Sequence, residues 1–204
     1  MGLAKLPELT GQRRIGLTGG IATGKSSVGR LLEQQGLPLL DADGYAREAL
    51  APGSMGERAV QERYGARVRA PNGALNRAAL GQIVFDDPAE RRWLENLVHP
   101  IVRHRFEEDL QQQARAATVV LMIPLLFEAG LESLCSEVWL VDCDETQQLQ
   151  RLMARDHLSE AAARARMAAQ WPLARKRALA TVVIDNRGQP NALVSQVEQA
   201  LRRP

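Results

Sequence analysis

RRIGLTGGIATGKSSVGRLLEQQG, residues 13–36, decides how the rest of the chain is read. It opens with a short apolar run, Ile15 to Thr18. It closes in a segment of helical periodicity, with Val28, Leu31 and Leu32 on one face and Gly36 as a stop signal. Between them stand Gly19, Gly20 and Gly24, then Lys25, Ser26 and Ser27. A plain turn needs fewer glycines and does not place a hydroxyl directly after a cation. The lysine is informative because the chain otherwise draws on arginine: of 26 basic residues only Lys5, Lys25 and Lys176 are lysines.

Gly19 to Ser26 matches G-x4-G-K-[ST], the phosphate-binding P-loop. The glycines let the backbone turn tightly with its N–H groups inward and no Cβ in the way. The following helix adds the positive end of its dipole. Lys25 supplies a compact charge for β- and γ-phosphate oxygens, and the Ser26 hydroxyl is placed to ligate Mg²⁺. Gly20, Ala22, Thr23, Gly24, Lys25, Ser26 and Ser27 are therefore the expected nucleotide-binding set, with ATP and Mg²⁺ as cofactors. A guanine-reading N-K-x-D motif is not in the sequence.

Outward from the loop the pattern alternates. Strands are expected at 37–44 (ending in acids), TVVLMIP at 118–124, EVWLVDC at 137–143 and TVVIDNRG at 181–188. Helices are expected at 145–156, at 159–170 and over NALVSQVEQALRR. Residues 45–115 read as helical pieces broken by APGS, APNG and DDP. Strands alternating with helices predict an α/β fold of P-loop NTPase type, with a five-stranded parallel sheet flanked by helices. The long helical stretch between strands two and three predicts a separate lobe.

The 204 residues suffice for one domain with a full core, and 45% apolar with 25% charged content is that of a globular chain. A net charge of +2 is too small to argue for nucleic acid or a membrane, and no apolar run reaches the length of a membrane span. Cys135 and Cys143 lack metal-ligand spacing, read as small apolar filler, and fit a reducing cytoplasm. Residues 1–12 read as a loose leader without a secretory core.

Asp41 and Asp43 follow the second strand. On extended backbone they would point the same way, so both carboxylates would face one spot at the carboxyl end of the sheet, where ligands sit. One could take a proton from an acceptor hydroxyl and help hold a metal; each could instead cap a helix starting near Gly44. Arg151 and Arg155 share a helix face, suited to phosphate oxygens or simply solvated. Asp142, after an apolar strand, competes with Asp43 for the metal.

LTGGIATGKS followed by DADGYAR resembles dephospho-CoA kinase, and APGS (51–54), LVHP (97–100), PLLFE (124–128), VDCDETQQLQRLMARD (141–156) and VIDN (183–186) follow in the family's order, over about 13–200. The resemblance implies transfer of the ATP γ-phosphate to the ribose 3′-hydroxyl of dephospho-CoA. It implies a core at about 13–50 and 117–204, a helical CoA-binding lobe at about 51–116 and a helical lid at about 151–178. By carry-over Asp43 is the base and a metal ligand with Ser26. Asp41, Arg47, His99, Leu125, Leu126, Phe127, Glu128 and Lys176 fall on the substrate side. Arg151 is a lid arginine at the phosphates, catalytic with Asp43 and Lys25. Asn186 helps form the adenine pocket or is a plain turn residue. No nucleic acid, membrane or obligate protein partner is implied. Read without the family, Leu125, Leu126 and Phe127 are core, and His99 is a helix-boundary histidine. The family usually has Ala-Asp before its last strand; here Thr181 follows Ala180. Another small P-loop kinase, or an ATP-binding module without an acceptor, are the alternative readings.

Overall fold

The computed structural model describes residues 11–203. The chain forms two compact units, one of residues 11–41 and 112–203 and one of 42–111.

The first unit is built on a sheet of five parallel strands, β1 (Arg13–Gly19), β2 (Leu39–Asp41), β3 (Thr118–Met122), β4 (Glu137–Asp142) and β5 (Val182–Asp185), in the order β2-β3-β1-β4-β5. The strands are short apolar runs because both faces of a parallel sheet are covered. In register, Ile15 lies beside Val120 and Leu17 beside Trp139. α1 (Lys25–Gln34) and α9 (Pro190–Leu201) cover one face, where Val28, Leu32, Leu193 and Val197 close over Ile15, Leu17, Trp139 and Ile184. α6 (Glu145–Asp156), α7 (Glu160–Ala168) and α8 (Leu173–Leu179) follow β4. α8 falls within the helical lid expected at about 151–178, but was not singled out as an element of its own because ARKR carries no helical apolar repeat and the helix is only two turns long.

β1 is central and its neighbours are β3 and β4. The chain crosses to one side of β1 and then to the other, so the strand order reverses at its carboxyl end. In open α/β sheets that point is where ligands bind, and it is where the glycine loop begins.

The second unit contains α2 (Ala42–Ala49), α3 (Met55–Tyr64), α4 (Arg77–Asp86) and α5 (Pro88–Gln112), with a 3₁₀ turn at Gly65–Val68. The interruptions fall at the turn signals APGS, APNG and DDP. Ser54 caps α3 by accepting from Glu57 N–H at 3.0 Å, and Glu57 reaches back to Gly53 N–H at 2.6 Å. Tyr45 meets Phe106 edge-on at 4.9 Å in its core. This unit begins at Ala42, earlier than the lobe expected at 51, because helix replaces strand directly after Asp41.

Two expectations are corrected here. Asp43 lies in the first turn of α2, not on extended backbone, so the two-residue spacing of a strand does not set its direction relative to Asp41. His99-Pro100 sits inside α5, not at a boundary; exposed Pro100 removes one N–H on the solvent side, and the helix continues to Gln112.

Residues 1–10 of the expected leader lie outside the described residues. Gln12 is anchored, donating to the carbonyls of Gln113 and Ala116 at 2.8 and 3.0 Å. Burial pushes the Cys135 thiol up to about 12, in keeping with the filler role. Among the described residues no helix is long and apolar enough to cross a membrane.

Thr181 has a definite local job. Its N–H donates to Val138 O at 2.9 Å, and its hydroxyl accepts from Val138 N–H at 3.1 Å, opening the β4–β5 ladder. Thr181→Ala should lower stability by about 1 kcal/mol, the worth of one such bond, while Thr181→Asp, which keeps an acceptor, should stay near wild type; urea unfolding followed by circular dichroism measures both.

Candidate active site

The glycine loop turns on two residues with positive φ, Ala22 at 60° and Gly24 at 96°. Thr23 closes the turn from inside, its hydroxyl donating to Gly20 O at 2.9 Å. The glycines are there for lack of room. A Cβ on Gly19 would lie 2.5 Å from Thr23 Oγ1, one on Gly20 2.6 Å from Gln148 Nε2, and one on Gly24 would overlap the Asn186 amide. α1 then starts at Lys25 with Gly24 as N-cap, no side-chain cap and no acidic residue in its first turn. With neither a side-chain cap nor an acid of its own, the positive end of its dipole favours an anion.

The loop is held from outside by side-chain amides. Asn186, just after β5, donates to Thr23 O at 2.8 Å. Gln148 of α6 donates to Ile21 O at 2.7 Å, and Gln170, between α7 and α8, accepts from Ile21 N–H at 2.8 Å. Arg151 donates to Asn186 O at 3.1 Å through Nη2, and its Nη1 is buried without a hydrogen-bond partner.

Two ion pairs flank this region. Glu128, at the end of the PLLFE turn, lies 2.7 Å from the Nζ of Lys176 on α8, and the same carboxylate oxygen accepts from Trp171 N–H at 3.0 Å. Asp142, at the end of β4, is gripped by both ends of the Arg177 fork at 2.7–3.1 Å and is 3% exposed.

The sequence matches the dephospho-CoA kinase family over residues 13–191. The chain belongs to that family. It is 67% identical over 192 residues to the dephospho-CoA kinase of Synechococcus sp. (strain CC9605), covering 94% of this chain and 93% of that one. It is 51% identical over 193 residues to that of Synechococcus elongatus, covering 94% and 92%. Among solved structures, TT1252 from Thermus thermophilus superposes with a TM-score of 0.83 at 37% identity, covering 93% of this chain and 96% of that one. The dephospho-CoA kinase of Campylobacter jejuni gives 0.70 at 26%, covering 93% and 95%.

Within the first unit the structure gathers Gly20, Ala22, Thr23, Gly24, Lys25, Ser26 and Ser27 into one loop and helix start, and links Asn186 and Arg151 to it. Ser26 is exposed and Lys25 half-buried. Asp41 closes β2. Asp43, Arg47 and His99 belong to the second unit, Asp43 and Arg47 exposed and His99 half-buried. Leu126 and Lys176 are 0% exposed and Phe127 is 5% exposed; in this structure the leucine and phenylalanine pack in the core and the lysine is paired with Glu128. Leu125 and Glu128 are half-buried. Asp142, the rival candidate for the metal, has both carboxylate oxygens paired with Arg177. Arg155 pairs with neighbouring Asp156 at 2.7 Å on the exposed surface, the solvated reading.

Sequence reasoning missed Gln148 and Gln170. Gln148 carried a faint signal: it sits four residues before Leu152, on the buried face of α6. Gln170, in a connection between helices, carried none.

Gly24→Ala should leave the secondary structure intact by circular dichroism and weaken ATP binding at least about ten-fold by calorimetric titration, because the new methyl both opposes a positive φ and pushes the Asn186 amide off Thr23.

Proposed function

We propose that the chain performs its family's reaction, transfer of the γ-phosphoryl group of ATP to the ribose 3′-hydroxyl of dephospho-CoA, giving coenzyme A and ADP as the last step of coenzyme A biosynthesis. The observation that carries the phosphate half is the uncapped start of α1 behind a loop with no room for Cβ atoms. The acceptor half is carried by the family match across residues 13–191.

Lys25 and the loop N–H groups hold the β- and γ-phosphates. Most of the rate gain then comes from positioning and from fixed donors aimed at the equatorial oxygens. Arg151 is the cation for those oxygens; its buried, unpartnered Nη1 supports that role. Asp43 takes the proton of the 3′-hydroxyl as that oxygen bonds to phosphorus and the β–γ bridge oxygen leaves with ADP. Asp41, Arg47, His99, the Leu125–Glu128 segment (Leu125, Leu126, Phe127, Glu128) and Lys176 are the residues proposed to form the acceptor side. Mg²⁺ fits the donor set, a hydroxyl at Ser26 and a carboxylate at Asp43, both hard oxygen ligands. When bound, it neutralises charge on the β- and γ-phosphates. Residues 151–178 form the proposed lid, whose closing would exclude water. We place the enzyme in the cytoplasm on the strength of its family and its unpaired cysteines.

ADP release with Mg²⁺-ATP should be stimulated by dephospho-CoA and not by adenosine or AMP, with coenzyme A found by mass. Stimulation by a rival acceptor, or ATP turnover indifferent to any acceptor, would overturn the reading. Asp43→Asn should reduce kcat by about 10²–10⁴ with ATP affinity nearly unchanged, the range for loss of a general base. Lys25→Ala should weaken ATP binding and transfer together.

A further inference from the structure

Ile21 stands in the middle of the glycine loop, and three kinds of contact converge on it. Its side chain packs on Leu149, Leu152 and Ala163, the small apolar cluster of α6 and α7. Its N–H is taken by Gln170 and its carbonyl by Gln148. Each amide can be oriented only one way, since an N–H needs the amide oxygen and a carbonyl needs the NH₂.

The two glutamines therefore fix two successive peptide planes, Gly20–Ile21 and Ile21–Ala22. The second leads into Ala22, which holds a left-handed conformation unfavourable for any residue with a Cβ. A rotation of that plane would relieve Ala22 and turn the Ile21 carbonyl toward the space where phosphate oxygens must sit. Gln148, 5% exposed, opposes the rotation.

The contacts continue away from the loop. Gln170 is followed by Trp171, whose N–H is held by Glu128, which is paired with Lys176 of α8. A continuous line of hydrogen bonds and covalent links thus runs from the phosphate loop through the α7–α8 connection to the PLLFE turn. A merely cohesive contact would be served by apolar packing; here polar groups grip the main chain of the ligand loop itself.

We propose that Gln148 and Gln170 are positioning residues for phosphoryl transfer. They hold Ile21 so that the loop's carbonyls stay out of the phosphate site, and Gln170 transmits nucleotide occupancy to Trp171 and Glu128. The proposal rests on the reading of the chain as an ATP-dependent kinase.

The test uses the full chain and the variants Gln170→Ala and Gln170→Leu, the latter keeping the volume. Calorimetric titration with Mg²⁺-ATP should show Kd raised about ten-fold in both, the cost of leaving one main-chain N–H unpaired. Added ATP should change the tryptophan emission of wild type, and Trp171→Phe should abolish that change. Both Gln170 variants should lack it even at saturating ATP. A lowered Tm with ATP affinity and the Trp171 signal unchanged would show a structural role only and overturn the proposal. ATP binding needs no acceptor, so a wild type that bound ATP without making coenzyme A would refute the proposed reaction and leave this test intact.

Discussion

The amide of Asn186 and the carbonyl of Thr23, 2.8 Å apart, set the shape on which the rest of the first unit depends. A phosphate site made of backbone has to point several N–H groups at one place, which ordinary helix and strand geometry does not do. It takes residues at positive φ and positions without a Cβ, and both are costly to maintain. Asn186 fills the space left by the missing Cβ of Gly24 and ties the loop to the end of β5, while β5 is tied to β4 in register. The loop's shape is thus referred back to the sheet, the most rigid part of the unit.

The ion pairs around the site belong to the same problem. A buried charge pair gains little net stability over apolar packing of similar volume, because desolvation offsets the attraction. Lys176–Glu128 and Arg177–Asp142 are better understood as placing α8. Both cations lie on one seven-residue helix that shows no strong apolar repeat, and their partners are at the ends of β4 and of the turn after β3. A helix that short has weak intrinsic stability, so charge pairing to fixed points on the sheet defines where it sits. The chain's third lysine is used here for position, whereas Lys25 is used for charge.

The sheet was legible because β3, β4 and β5 carry unbroken apolar runs (VVLM, VWLV and VVI) and β1 is announced by the loop that follows it, and five strands fell where they were expected. The loop was legible because its chemistry needs fixed residue types at fixed spacing. Direction and burial were harder. Asp41-Ala42-Asp43 reads equally as an extended piece or as the cap of a helix, and the structure shows helix from Ala42. PLLFE contains three apolar residues, of which Leu126 and Phe127 face the core and Leu125 is half-buried; one turn splits the motif, and its letters do not say how. Gln148 and Gln170 act on main-chain atoms more than a hundred positions away, and a bond to a backbone group leaves no partner residue in the sequence to point at.

Asp142 shows how geometry bears on a choice that the residues alone leave open and the family resemblance tips toward Asp43. An acid after an apolar strand, beside a P-loop strand, has the address of a metal-binding aspartate, and Asp142 ends β4 next to β1. Two carboxylate oxygens held by one guanidinium have their strongest acceptor directions already filled. Releasing them for a cation would leave Arg177 without its partner and an almost fully buried carboxylate to be re-solvated. Asp43 is exposed, so its carboxylate carries no such desolvation cost, and that difference in burial is the physical ground for proposing it rather than Asp142 as the metal ligand.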